Sequence, residues 1–345
     1  MKGNPLSGKL LPHVIRAYEW QPRKVTQVRG VLQIQTGQDV FALKPVKAEA
    51  SRLAFLHRII SRLHEHNYPH VLPWIKTKYG DAFYAGKEMS FYATPWFGKE
   101  WSRDTSIPED TLIQSLADMH RLTENVDAQD DGAEGSSLDQ TIQRWNKQME
   151  QLALYVDEAR KREQASPFDV AFLDGHDELI QAASFALNGL TRMSEIDAER
   201  PFRRVFCHRH IHRHNLLIGE ENWKWIDFTH AGIDIPMWDL ATFIRRFPPQ
   251  EEDAFVTLET WLDTYEESFT LNQRERQLLG LFLAYPESVI EWLNRYYTHK
   301  RSHSEIFYVQ GLENALQYFK VLKRFVKHIW PQRESAKKQR AALKQ

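Results

Sequence analysis

Val205-Phe-Cys-His208-Arg-His210-Ile-His212-Arg-His214-Asn215-Leu-Leu-Ile218 leads, after a short turn, into Trp223-Lys-Trp-Ile-Asp227-Phe-Thr-His-Ala-Gly232 and then Ile235-Pro-Met-Trp-Asp239-Leu-Ala241. An apolar run enters a polar loop that ends at Asn215. Leu216 to Ile218 then reads as a short strand that turns back through Trp223 and Ile226 to deliver Asp227. Such a hairpin sets an amide and a carboxylate side by side at its end. Two oxygen donors of that kind suit a hard cation such as Mg²⁺ held against a nucleotide phosphate.

With these residues in view, the stretch resembles the kinase-like fold of the aminoglycoside and choline phosphotransferases. Their catalytic loop runs His-Gly-Asp, four residues, Asn, followed by a strand ending Ile-Asp and a downstream Asp-Leu-Ala. His208 falls at the family's histidine, which braces the loop. Asn215 and Asp227 fall at its metal-binding residues, and Asp239 at the aspartate before Leu240-Ala241. The catalytic aspartate position holds His210. In the family that aspartate orients the acceptor hydroxyl and takes its proton, so the resemblance implies a retained metal site without its usual base.

Toward the N-terminus, Val25-Thr-Gln-Val28 and Val31-Leu-Gln-Ile34 alternate apolar with polar, and Thr36-Gly37-Gln38-Asp39 supplies a turn before Val40-Phe-Ala-Leu-Lys44. The resemblance makes Lys44, after that strand, the lysine that grips nucleotide phosphates; the plain alternative is a solvated strand end. A helix is expected over residues 48–65, with Leu53, Leu56, Ile60 and Leu63 on one face. Glu49 in its first turn is either the family's partner for Lys44 or a carboxylate favoured by the helix dipole. The turn between the first two strands is not glycine-rich and offers only Arg29-Gly30. Either Arg29 substitutes a charge for backbone donors to phosphate, or nucleotide binding is weak or lost. Phe83-Tyr84-Ala85 and Phe91-Tyr92-Ala93 read as the last strands of the small sheet. Thr94-Pro95-Trp96-Phe97-Gly98 then breaks the pattern and resembles the hinge where adenine contacts the backbone near Trp96.

Beyond the hinge a helix carries Leu112, Leu116, Met119 and Leu122, with His120 read as structural. Residues 124–137 read as a surface loop. Ile142, Trp145, Met149, Leu152 and Val156 mark a long amphipathic helix, and a second is expected over residues 176–192. These helices suit an acceptor site or a partner-docking seam. After Asp239 the chain reads as almost wholly helical: Pro248-Pro249 start one helix, Leu278 to Leu283 belong to another, and Leu312 to Ile329 line a last long one. Leu283 to Tyr297 and Ser166-Pro167-Phe168-Asp169 are similar to segments of bacterial spore coat kinase-like proteins of the CotS/YsxE type.

The expected fold class is therefore α+β: a bilobal protein-kinase-like arrangement, with an antiparallel sheet lobe over residues 1–97 and a helical lobe over residues 98–345. The tail, residues 331–345, sets five basic residues against Glu334 and reads as a solvated end or an arm for an acidic partner. The 345 residues, 42% hydrophobic and 26% charged, suffice for a sizeable core, and a net charge of −1 gives no reason to expect nucleic acid. Cys207 is the single cysteine, which sits easily with a reducing cytosol. No long apolar run suggests export or a membrane span, so a cytoplasmic protein, or one incorporated into a spore coat, is expected. Eleven tryptophans and nineteen phenylalanines serve core packing or an exposed assembly patch.

Loss of a general base costs about 10²–10⁴-fold, so His210 implies a slow or silent kinase. The leading expectation is a spore coat-associated pseudokinase or impaired phosphotransferase that binds ATP and Mg²⁺ if its site is intact and assembles with other coat proteins. The second is an active phosphotransferase on a small-molecule or protein hydroxyl, since neutral imidazole, with an ordinary pKa of about 6.5, accepts protons near neutrality. The third is a scaffold or metal-binding protein. Alternation of His208, His210, His212 and His214 invites a transition-metal site, or else a basic loop that faces phosphate or acidic protein.

Overall fold

The computed structural model describes residues 10–102, 107–126, 137–249, 253–298 and 302–330. Within these the chain forms two compact units, Met1–Ala133 with Val205–Ile233, and Glu134–Arg204 with Asp234–Gln345. The basic tail and most of the predicted surface loop, residues 127–136, lie outside the described residues.

In the first unit, helix α1 (Leu11–Ala17) precedes strands β1 (Lys24–Val28), β2 (Val31–Gln35) and β3 (Val40–Val46). Helix α2 (Ala50–Glu65) then leads to β4 (Ser90–Pro95), and the strands form one antiparallel sheet in the order β1-β2-β3-β4. The period-two pattern explains the sheet's two faces: Leu32, Ile34, Leu43, Phe91 and Ala93 are buried together with Val14 and Tyr18. Tyr18, Trp20 and Phe41 stack in sequence beside them, each pair 4.6 Å apart. Helix α2 buries Leu53, Leu56, Ile60 and Leu63 as its spacing requires, with Phe55 and Ile59 added. Phe83-Tyr84-Ala85 is not a strand. Only Tyr84 bridges to Phe91, because the sheet ends on β4 with no further paired run.

A two-residue strand β5 (Lys99–Glu100) and helix α3 (Glu109–Leu122) follow, and the unit is completed by β6 (Val205–Cys207), β7 (Leu216–Ile218), β8 (Trp223–Trp225) and β9 (Gly232–Asp234). β5, β7 and β8 make a three-stranded sheet, while β6 pairs with β9. Gly98, at φ +48, is where the chain must be glycine: a Cβ there would stand 2.1 Å from the Ile218 carbonyl oxygen.

The second unit is helical: α4 (Ser137–Lys161), α5 (Pro167–Glu199), α6 (Pro236–Arg246), α7 (Ala254–Ser268), α8 (Gln273–Ala284), α9 (Glu287–Tyr297) and α10 (Glu305–Ile329). α5 begins well before residue 176. Ser166 and Asp169 form a capping box, and Pro167 occupies the first helical turn, so the N-terminus is fixed there. Pro248-Pro249 does not start a helix; α7 begins after Asp253, whose carboxylate caps Val256 N–H. The core gathers Leu152, Tyr155, Phe168, Phe172, Leu293, Tyr296 and Phe319 from α4, α5, α9 and α10. Trp145 and Trp261 are fully buried here, as Trp225 is in the first unit. Among the described residues, no helix is long and apolar enough to cross a membrane.

Candidate functional site

Lys44 lies inside β3 rather than after it, directly opposite Tyr92 of β4. Its neighbour Leu43 is buried, so strand alternation turns the Lys44 side chain to the other face, where it keeps partial exposure. Its Nζ stands 2.5 Å from Asp227 Oδ1. Thr229 also donates its hydroxyl to Asp227 Oδ1 at 2.5 Å. Burial alone would raise the Asp227 pKa, but the charge and hydrogen bond of Lys44 and the bonds from Thr229 outweigh it and bring the carboxyl down to about 2. The same carboxylate, after burial, helps push the Tyr92 hydroxyl pKa up.

The hairpin of β7 and β8 pairs Leu216 with Trp225, and Ile226 N–H donates to the Asn215 carbonyl at 3.0 Å. That register puts Asn215 next to the residue before Asp227, so amide and carboxylate share the hairpin's end. Asn215 is buried. It donates Nδ2–H to the His210 carbonyl at 2.8 Å, with His210 Nδ1 a longer 3.4 Å away. With the NH₂ group so engaged, Oδ1 is the atom that Asn215 can offer a cation.

His208 holds this loop from beneath. It is buried, its Nε2 lies 3.0 Å from the Ile226 carbonyl, and its Nδ1 accepts the His210 N–H at 3.3 Å. Both bonds are met by the tautomer with the proton on Nε2. One imidazole thus ties the backbone of residue 210 to that of residue 226. The loop's entry strand is anchored as well, by the Phe206 N–H bond to Thr123 Oγ1 at 3.1 Å.

His210 is exposed, and its ring meets two others edge-on: His212 at 4.4 Å and His230 at 5.1 Å between centroids. Two non-glycine residues of this region adopt positive φ: Arg209 at 59° and Asp227 at 64°. Each such placement costs on the order of 1–3 kcal/mol, and clustering of this kind marks functional sites. Arg209 partly offsets it by donating to the Ile233 carbonyl at 3.0 Å.

The other sequence candidates take different places. Glu49 is the exposed N-cap residue of α2, with extended backbone, while the ion pair of Lys44 is made with Asp227. Arg29 pairs with Glu100 at 2.5 Å, with both side chains well exposed. Trp96 is half-buried and spends its N–H on the Val40 carbonyl at 2.9 Å, which removes that donor from any adenine contact. His120 is buried in α3, and Asp239 is buried near the start of α6 in the second unit. Sequence reasoning missed Thr229, His230 and Arg52, which donates to the Ala231 carbonyl. Thr229, two residues after Asp227, fits the local side-chain bonding of threonine; the other two carry no signal in their spacing.

The family model described as "Spore coat putative kinase YutH" matches residues 12–329. Among solved structures, an aminoglycoside phosphotransferase from Alicyclobacillus acidocaldarius subsp. acidocaldarius DSM 446 is similar with a TM-score of 0.75 at 15% identity, covering 92% of this chain and 94% of that one. Spectinomycin phosphotransferase APH(9)-Ia, solved with ADP and spectinomycin, gives 0.63 at 12% identity, covering 93% and 99%. The amicoumacin kinase hAmiN, solved with AMP-PNP, Ca²⁺ and Ami, gives 0.59 at 14%, covering 94% and 95%. The likeness shows an α+β protein-kinase-like fold.

Proposed function

The chain belongs to the YutH spore coat kinase family, and from that premise we propose a spore coat-associated protein that retains a nucleotide–metal site and is strongly impaired in phosphoryl transfer. One observation carries the reading: Lys44, Asp227 and Asn215 stand assembled, while His210, which falls at the base position by the sequence resemblance, has its backbone fixed at both N–H and C=O. Asp227 and the Asn215 Oδ1 atom are oxygen donors of the kind Mg²⁺ takes. The fit extends to charge, because the Asp227 carboxyl is ionised throughout the physiological range. Mg²⁺ and ATP, when bound, supply the transferable phosphoryl group and neutralise its charge.

The chain's own residues then divide the work. Lys44, paired with Asp227 in the free protein, would hold phosphate oxygens, and Arg29, paired with Glu100, would supply a charge where a glycine-rich turn offers backbone donors. His208 keeps residues 210 and 226 in register. Position 210 offers an imidazole in place of an acceptor-only carboxylate, so the acceptor hydroxyl is neither oriented nor deprotonated as in the wider superfamily. Two of the kinase-like neighbours were solved with nucleotides, ADP beside spectinomycin and AMP-PNP beside Ca²⁺ and Ami; for this chain, partners within the spore coat are part of the proposal.

ATP hydrolysis, with water as acceptor, tests the reading. The wild type should stay near background and His210→Asp should rise by about 10²-fold or more. No gain in the variant would sink it. A high wild-type rate would instead favour an active phosphotransferase with neutral His210 as base.

A further inference from the structure

The alternating histidines of the loop do not act as one set. His208 is withdrawn beneath the loop by its bonds to Ile226 and His210. His230, from a separate turn, takes its place beside His210. Two imidazoles on one tetrahedral ion, with metal–nitrogen distances of about 2.0–2.1 Å, bring their ring centres about 5 Å apart. His210 stands 4.4 Å from His212 and 5.1 Å from His230 on that measure, at the centre of the group. His214 is one step removed, 5.8 Å from His212.

The backbones carrying these rings are fixed. Asn215 holds two of them, donating Nδ2–H to the His210 carbonyl and its backbone N–H to the His212 carbonyl at 2.9 Å. His230 closes the one-turn 3₁₀ helix Phe228–His230, which is pinned by buried Phe228 and by the Ala231 N–H bond to the Phe228 carbonyl at 3.0 Å. Arg52 of α2 then secures the Ala231 carbonyl. Side-chain rotation about these fixed backbones is what would bring one nitrogen of each ring onto a common ion.

We propose that His210, His212 and His230 form a binding site for a transition-metal dication of the Zn²⁺ class, distinct in donor chemistry from the oxygen site of Asn215 and Asp227. Imidazole nitrogen favours such ions, whereas carboxylate and carbonyl oxygen favour Mg²⁺. Ligation uses a ring lone pair of His210, so the metal-loaded protein has no proton acceptor at the base position. The site does not depend on nucleotide binding.

The test is calorimetric titration of the full chain with Zn²⁺ in excess Mg²⁺, repeated with Co²⁺, whose visible absorption reports tetrahedral nitrogen ligation. The expected result is one ion per chain, bound equally well by Asp227→Asn and His214→Gln and weakened more than about tenfold in His210→Gln and His230→Gln. Absence of Zn²⁺ binding, or unchanged titration in those last two variants, overturns the proposal. Both positions are exposed and lie on different turns, so a folding defect in one leaves the other as the test. The Asp227→Asn arm separates this failure from failure of the nucleotide reading.

Discussion

Replacing Lys44 by methionine should have opposite effects on two ligands of one site. In the free protein Lys44 and Asp227 satisfy each other across 2.5 Å, so any cation that binds Asp227 must first displace the ammonium group. The pKa of Asp227 falls from 3.8 to about 2 against the upward push of burial, and Lys44 is the principal cause of that fall. At 1.36 kcal/mol per tenfold change the drop is roughly 2 kcal/mol. Thr229 supplies part of it, and the carboxylate is 31% exposed, so screening reduces the share of Lys44 to about 1 kcal/mol. Lys44→Met should therefore bind Mn²⁺ alone several-fold more tightly than the wild type, while its affinity for Mn²⁺–ATP falls because phosphate has lost its cation. The pKa is depressed only while Lys44 is present, so the gain is complete above pH ~5 and is lost as pH falls through the ordinary carboxylate range toward 2. Electron paramagnetic resonance of free Mn²⁺ reads both constants. Equal or weaker Mn²⁺ binding in Lys44→Met would refute the idea that the pair guards the site.

His208→Ala removes the partner of the Ile226 carbonyl and of the His210 N–H, each worth about 1–3 kcal/mol when left unmet in a buried setting. Urea unfolding should show a loss of about 2–4 kcal/mol, and a loss under 1 kcal/mol would contradict the bracing role. Gly98→Ala drives a Cβ into the Ile218 carbonyl and should cost more than about 2 kcal/mol, seen as a lowered thermal midpoint with early exchange of the β5–β7 amides; a midpoint like the wild type's would show that the backbone there gives way. Arg29→Ala breaks only an exposed ion pair, so stability should change by less than about 0.5 kcal/mol while ATP affinity falls. Equal ATP affinity would remove Arg29 from phosphate binding.

The sequence was readable wherever short-range pattern sets structure. Alternation in residues 25–43 gives β1 to β3, and the residues between β6 and β8 place Asn215 and Asp227 together because a tight hairpin leaves one register. The capping box at Ser166 and Asp169 is a signal within the sequence itself, and it starts the helix well before residue 176. What stayed hidden depends on distant parts of the chain meeting. The partner of Lys44 is Asp227 rather than the nearby Glu49, and His230 reaches His210 only after the loops fold. Positive φ at Arg29, Arg209 and Asp227 was also invisible, since none is a glycine that would announce it.

Calorimetric titration of the purified chain with ATP and ADP, with and without Mg²⁺, beside Lys44→Ala and Asp227→Asn, tests the central claim most directly. The account predicts Mg²⁺-dependent binding in the wild type that is lost in both variants. Absence of binding in the wild type, or binding unchanged in Asp227→Asn, would contradict it.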